Sequence, residues 1–318
     1  MSYAQFASID ASDFNTLVGG NPTTTANTLN AVWATGGSAA GYGQTALANV
    51  TVGQTVAATG QWATLVANTA SAATHQGSSI TSVTAPVSGG TITFLSAIPT
   101  NLTTIYSARL NAATQGSTAV TSANRASTWN NSITANLTAT FANGDAARYF
   151  FNAGGQFKLT FSHPTGTTID NSLNALATAC GTVVLSAPTS GTITIASTSY
   201  NGVTKIGGSG TVNTISTNSG YYAWSTSNVL AFRQLVASAP VGYTNTNINV
   251  NVKTNGTVGS NGDVGNVINI YCNWAELNST GLTASAGSNS ILTVQYPETT
   301  NLANTWGTVT LAASVSGS

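Results

Sequence analysis

The sequence predicts an α+β protein, a short helical N-terminal region followed by a mainly antiparallel β-sandwich region that carries two short helices. Three observations predict it. Apolar residues recur at helical spacing over about the first 115 positions. Beyond about Thr128 the spacing becomes alternation, as in half-buried strands. Turn pairs then punctuate the chain, at Gly154-Gly155, Asn201-Gly202, Gly207-Gly208, Asn255-Gly256 and Asn261-Gly262.

In the helical part, Ser12-Asp13 reads as an N-cap ahead of Phe14, Leu17 and Val18. Gly19-Gly20-Asn21-Pro22 stops that helix. A second helix is expected over Thr25–Thr35, with Leu29, Val32 and Trp33 on one face. A third covers about Ala57–Thr74 through Trp62, Leu65, Val66 and Thr69, and runs into His75-Gln76-Gly77. A fourth covers Pro99–Ala113, with proline in the first turn where helices allow it. Threonine, 54 of 318 residues, is a poor helix former, so these helices must rely on tertiary packing.

In the second part, Ile133, Ala135, Leu137, Ala139 and Phe141 alternate with polar residues. Phe157, Leu159 and Phe161 do the same within Gln156–Ser162. Further strands are expected at Thr182–Ser186, Gly191–Ser197, Asn228–Val236, Asn247–Lys253, Asn266–Trp274, Ser290–Tyr296 and Thr305–Val315. Short helices are expected at Gly144–Phe151 and at Ile169–Cys180, the latter with Asp170 in its first turn. Many strands at short spacing argue for a sandwich, and β-branched threonine suits strands where it did not suit helices. The change of period places a boundary near Gly116–Thr128, between regions 1–120 and 128–318. Gly90–Phe94 echoes Gly191–Ile195, which is too little to mark a repeat architecture.

Composition narrows the function. Charged residues make up 4% of the chain, seven basic and seven acidic, where an ordinary domain carries roughly 25%. Seven scattered Lys and Arg make no phosphate-binding footprint, so nucleic acid is not an expected partner. No apolar run of about 18 residues occurs, so no membrane span is expected. Met1–Phe14 lacks the basic and apolar regions of a secretory signal. A net charge of zero leaves no colloidal protection against self-association, which suits a chain assembled with others. Cys180 and Cys272 show no metal-ligand or CxxC spacing and read as buried, reduced thiols, though spacing alone leaves a disulfide between them open.

Catalytic constellations are sparse. Among the seven acids only Asp10 and Asp13 are near neighbours, and they sit at a helix start. Asp263 and Glu276 could supply a glycosidase pair only by converging from different segments. His75 closes a helix, and His163 lies in the turn Ser162–Gly166. Asp263 in Asn261-Gly262-Asp263 resembles a fragment of a calcium loop without its alternating acids and closing glutamate. No phosphate-cradling glycine motif is present, and no cofactor or metal site is expected. The N-x-[ST] matches, such as Asn136 and Asn278, are what an Asn- and Thr-rich chain yields by chance. Tyr221, Tyr222 and Trp224, set among Ser, Thr and Asn, are the candidate glycan contacts; alternatively, members of this group are core residues of a strand.

Several segments resemble, in order along nearly the whole chain, a family of virion structural proteins of tailed bacteriophages of the marine and cyanophage type. They are the Asp13-Phe14-Asn15 helix start, Gly41-Tyr42-Gly43-Gln44, the Gln61-Trp62 helix ending at His75-Gln76-Gly77, and Ser172–Leu176. The C-terminal Tyr296–Thr299 and Leu302–Gly307 belong to the same set, and Asp145–Gly155, with its Phe-Phe-Asn-Ala-Gly-Gly end, is the most diagnostic. Gln156 and Lys158 stand where members often carry Arg or other charges after the Gly-Gly. The resemblance implies a fibre, collar, neck or tail-associated role, with the helical region docking to the particle and the β-rich region building the appendage. It implies no catalytic residues, localisation in the virion after synthesis in the host cytoplasm, and other virion proteins of the neck, tail or capsid as partners. Thin edge protection implies a homo-oligomer, and the fibre-like family favours a trimer. The alternatives are an adhesin module that binds host surface glycan, a capsid decoration protein and, least favoured, a glycan depolymerase.

Overall fold

The computed structural model describes residues 11–22, 25–51, 53, 56, 58–87, 96–209, 212–236, 245–276 and 282–317. Asp10, the segment Gly90–Phe94 and Asn278 lie outside the described residues. Four helices open the fold: α1 (Ala11–Val18), α2 (Leu29–Val32), α3 (Ala63–Gln76) and α4 (Ala97–Ser107). Each buries the apolar face that its spacing marked: Phe14 and Leu17 on α1, Leu65 on α3, Leu102 and Ile105 on α4. The Phe14 ring meets Trp62 edge-on at 5.0 Å and joins α1 to the start of α3. Gly77 ends α3 at φ 69°, the left-handed stop that glycine permits.

The second expected helix is shorter than its pattern. It ends after Val32 because the chain turns back and residues 42–44 take its carbonyls. Tyr42 N donates to Val32 O, Gly43 N to Ala34 O and Gln44 N to Trp33 O, all within 3.0 Å. Ser12 and Asp13 lie inside the first turn of α1 rather than capping it.

Thirteen strands follow among the described residues, paired antiparallel. One sheet has the order β1 (Gln115–Asn124), β12 (Asn289–Pro297), β3 (Gln156–Ser162), β4 (Thr182–Leu185), β7 (Val203–Ile206). The other runs β13 (Thr310–Gly317), β2 (Ser132–Thr140), β11 (Val267–Ala275), β10 (Asn247–Thr254), β9 (Val229–Leu235), β8 (Val212–Ile215). A small hairpin, β5 (Ile193–Ile195) and β6 (Thr198–Tyr200), stands apart. Alternation is clean along β2, where Ile133, Ala135, Leu137 and Ala139 are all buried. The two sheets meet through Phe161 of β3 against Trp274 of β11, and the Trp274 indole donates across to Ser290 Oγ at 3.0 Å. Helices α5 (Gly144–Asn152) and α6 (Thr168–Cys180) occupy the two expected places.

The segment expected to divide the chain is β1, hydrogen-bonded along its length to β12. The hydrophobic core is continuous from Phe14 through Phe141 and Trp274 to Trp306. The helical region is also tied directly to the C-terminal segment. Gln44 and Ala303 exchange two hydrogen bonds of 2.9 Å, and Ser71 Oγ donates to Asn301 O.

The strongest tie between the two regions is Arg148 on α5, whose side chain is wholly buried. Its guanidinium donates to Asp145 Oδ1, to Ala40 O at 2.8 Å and to Thr35 O at 2.9 Å. Removing one member of a buried ionic network leaves the rest desolvated without compensation. Arg148→Met is therefore expected to lower the unfolding free energy by about 3 kcal/mol. Urea denaturation checks this, and a loss below about 1 kcal/mol would show that the loop at 35–44 is held by something else.

Candidate functional site

Of the three candidate glycan contacts, Tyr221 and Trp224 belong to the core. Tyr221–Ala223 forms a short 3-10 turn after Gly220, and its amides bond to Ser186 O and Ala187 O. This turn points Tyr221 inward, where its ring stacks on Phe151 at 4.4 Å. Trp224 meets the same Phe151 edge-on at 5.4 Å, and its indole donates to Ser219 O. Tyr221 and Trp224 are buried. Tyr222 is half-buried, with its hydroxyl donating to Asn152 Oδ1. Tyr221 and Trp224 thus offer no open ring face to a sugar, because both pack on Phe151 of α5, while Tyr222 keeps part of its surface accessible. Burial raises the pKa of both tyrosines, as expected for phenols kept neutral inside a core.

The structure brings together three polar residues that lie apart in the sequence. His163 follows β3, Asp170 lies in the first turn of α6, and Ser288 precedes β12. His163 Nδ1 lies 2.8 Å from Ser288 Oγ, and its Nε2 lies 3.1 Å from Asp170 Oδ1. Serine, histidine and acid are therefore linked in a row as in a hydrolytic triad, but through the opposite ring nitrogens, Nδ1 to the serine and Nε2 to the acid. Two features close it. All three residues are buried, and Ser288 Oγ also accepts from Trp129 Nε1 at 3.0 Å. With Nε2–H directed at Asp170, Nδ1 accepts the serine proton and the indole takes one of the two serine lone pairs. Burial of all three residues keeps a substrate carbonyl from the hydroxyl.

Asp170 is the hub of this node. It accepts from Thr167 N and Thr167 Oγ1, completing a capping box on α6, and from Ser285 N and Ser285 Oγ at 2.8 Å each. Burial pushes its pKa up, but the donors from Ser285, His163 and Thr167 outweigh that and hold the carboxyl well below the usual range. For His163, burial lowers the pKa and outweighs the attraction of Asp170, so the neutral ring is favoured.

His75 and Glu298 form a second buried pair, with Nδ1 2.8 Å from Oε1. Glu298 also accepts from the amides of Thr300 and Asn301. The bond to His75, aided by these amides, overcomes burial and lowers the Glu298 pKa to about 2. The pair ties the end of α3 to the segment after β12, so His75 has a more specific role than meeting a helix dipole.

Asp263 and Glu276 do not converge. They flank opposite ends of the nine-residue β11, which puts them roughly 30 Å apart, far beyond any glycosidase spacing. Asp263 braces its own loop, accepting from Ser260 N and Thr257 Oγ1. Among the described residues no three His, Cys, Asp or Glu gather as metal ligands. Cys180 and Cys272 are buried free thiols whose pKa burial pushes up to about 12. Among the described residues no helix is long and apolar enough to cross a membrane. A cleft of about 430 Å³ between α3 and α4 is lined by uncharged groups, including Thr69, Ser78, Ile80 and Asn101. No known protein family, curated protein or solved structure matches the chain.

Two outcomes follow from the buried nodes. Ser288→Ala strands both the Trp129 indole and His163 Nδ1, and is expected to cost about 2 kcal/mol in urea denaturation. A fluorophosphonate probe should leave native Ser288 unlabelled; labelling at Ser288 would mean that the node opens. The second outcome is acid sensitivity with a defined sign. Glu298, Asp170 and His163 all have lowered pKa values, so each stabilises the fold above its usual value and loses that contribution as pH falls. Stability should decline first below 6.5 through His163, then below 4.5 through Glu298, with Asp170 following from 3.8. Denaturation midpoints against pH check this, and Glu298→Gln should remove the onset near 4.5 and make the decline toward about 2 shallower, leaving the part due to Asp170.

Proposed function

We propose that this chain is a structural subunit of a tailed-bacteriophage virion, a fibre, collar or other tail-associated protein, which works by packing against copies of itself and neighbouring virion proteins. One observation carries the reading. Among the described residues no Asp, Glu, Lys or Arg is exposed: Arg148, Asp170, Glu276 and Glu298 are buried and the others half-buried. Charged side chains ordinarily stand at the surface and keep proteins apart. Here the surface is left to Thr, Ser, Asn, Gly and Ala, which carry no net repulsion and little desolvation penalty on contact.

Such a surface suits permanent assembly, and the resemblance of Gly41–Gln44 and Asp145–Gly155 to virion proteins supplies the kind of assembly. The helical region would face the particle and the sandwich would project from it. The glycan-binding alternative has less support, since Tyr221 and Trp224 are buried and only Tyr222 of the three is partly accessible.

Immunogold labelling tests the proposal. An antibody against the purified chain should place gold at the tail or collar of phage particles from a producing lysate. Gold confined to the particle-free fraction would refute the assignment.

A further inference from the structure

The two ends of the sandwich are finished differently. At one end the edge strands β7 and β8 have four residues each, and Lys205 of β7 reaches across to Gln234 Oε1 of β9 at 3.1 Å. Short edges and an edge lysine are devices that discourage pairing with other chains. At the other end the edges are β1 and β13, ten and eight residues long, with no charged residue and no proline in either. They lie against each other without hydrogen-bonding, so each keeps one unpaired row of backbone groups.

This seam is also open to its core-facing side. On β2, Ala135, Leu137 and Ala139 are buried, but their register partners on β13 are not: Val315 and Leu311 are half-buried and Ala313 is exposed. On β12, Leu292 and Val294 are buried, whereas their partners Thr121 and Ala119 on β1 are half-buried. Val120, on the opposite face of β1, is 60% exposed.

We propose that a second copy of this chain covers the seam, β13 pairing antiparallel with β13 and β1 with β1 about a two-fold axis normal to the sheets. This rests on the reading of the chain as an assembled subunit and names the surface that assembles. One two-fold rotation satisfies both edges at once, because an isologous contact brings each strand onto its own copy. An unrelated partner would have to supply two strands at the same spacing. The seam carries no charge for a charged partner to select, and a neutral copy meets it without repulsion. Its rows of Thr, Ser and Ala, facing themselves, make favourable cross-strand pairs. An edge roughly 30 Å long and roughly 20 Å across two sheets covers roughly 600 Å², near the about 800 Å² per partner of stable interfaces.

Sedimentation velocity of the full chain at micromolar concentration tests this. The expected species has twice the 32.0 kDa chain mass. The double variant Val120→Lys with Ala313→Lys, at two exposed positions, should sediment at 32.0 kDa with an unchanged melting temperature. Val264→Lys, at an exposed loop position away from the seam, should leave the pair intact. Amide exchange gives a check without variants: protection in 115–124 and 310–317 should fall on dilution while β2 and β11 stay protected. A monomeric wild type, a trimer, a pair indifferent to the two lysines, or fast exchange along both edges of the pair would each overturn the seam. Gold on particles with a monomeric chain would sink the seam alone, and a dimer absent from particles would sink the virion assignment alone.

Discussion

The fold turns on one buried charge. Arg148 carries its guanidinium into a water-free site, where it must be answered by acceptors on several sides. Asp145 answers from one turn before it on α5, and the carbonyls of Thr35 and Ala40 answer from a distant loop. That loop continues into Gly41–Gln44, which does most of the remaining joining. Asn152 donates to Gly41 O, Gln76 donates to the Tyr42 hydroxyl, and Gln44 clasps Ala303. Gly43 lies under the Tyr149 ring, where a Cβ would come within 2.4 Å of ring carbons. A side chain there would force the loop off α5, so glycine is required by contact as well as by its φ of 69°.

The same logic recurs at Asp170 and Glu298. A buried carboxylate is tolerable only when donors surround it, and both are ringed by amides and a histidine, Asp170 by the Thr167 and Ser285 hydroxyls as well. These nodes join segments far apart in sequence, as Ser288 to His163 and Glu298 to His75 do. They supply a specificity that threonine-rich strands lack, since side chains of similar size and polarity discriminate register weakly. The Ser288–His163–Asp170 arrangement shows how far such a node can resemble catalytic machinery while acting as a clamp. What distinguishes it from an active site is access, removed by the Trp129 indole and by burial.

Interior use of charge has an exterior consequence. A chain with fourteen charged residues that holds its described ones at least half-buried has little charge left for its surface. Solubility must then rest on hydroxyls and amides, which also pack well against one another. The two ends of the sandwich differ in the same respect: β7 carries Lys205 at its edge, whereas β1 and β13 carry no charge.

The sequence by itself determined the class of fold and most of its elements. Periodicity located α1, α3, α4, α5 and α6 and the long strands β2, β3, β10, β11 and β12, because each sets a buried face beside a less buried one. It did not reveal β1, whose inward face offers only small residues such as Ala119, Thr121 and Ala123 while the apolar Val120 stands on the exposed face. Nor did it show β6, β7 and β8, too short for alternation to register, or the early end of α2, imposed by a returning loop. At the candidate site, residue types predicted that chemistry would be sparse, and Thr167 three residues before Asp170 carries a legible capping spacing. Nothing local predicted that Ser288 would meet His163, or that Tyr221 and Trp224 would turn inward onto Phe151. Those outcomes depend on which buried donors and rings lie within reach after folding, a property of three-dimensional neighbours that no linear spacing encodes.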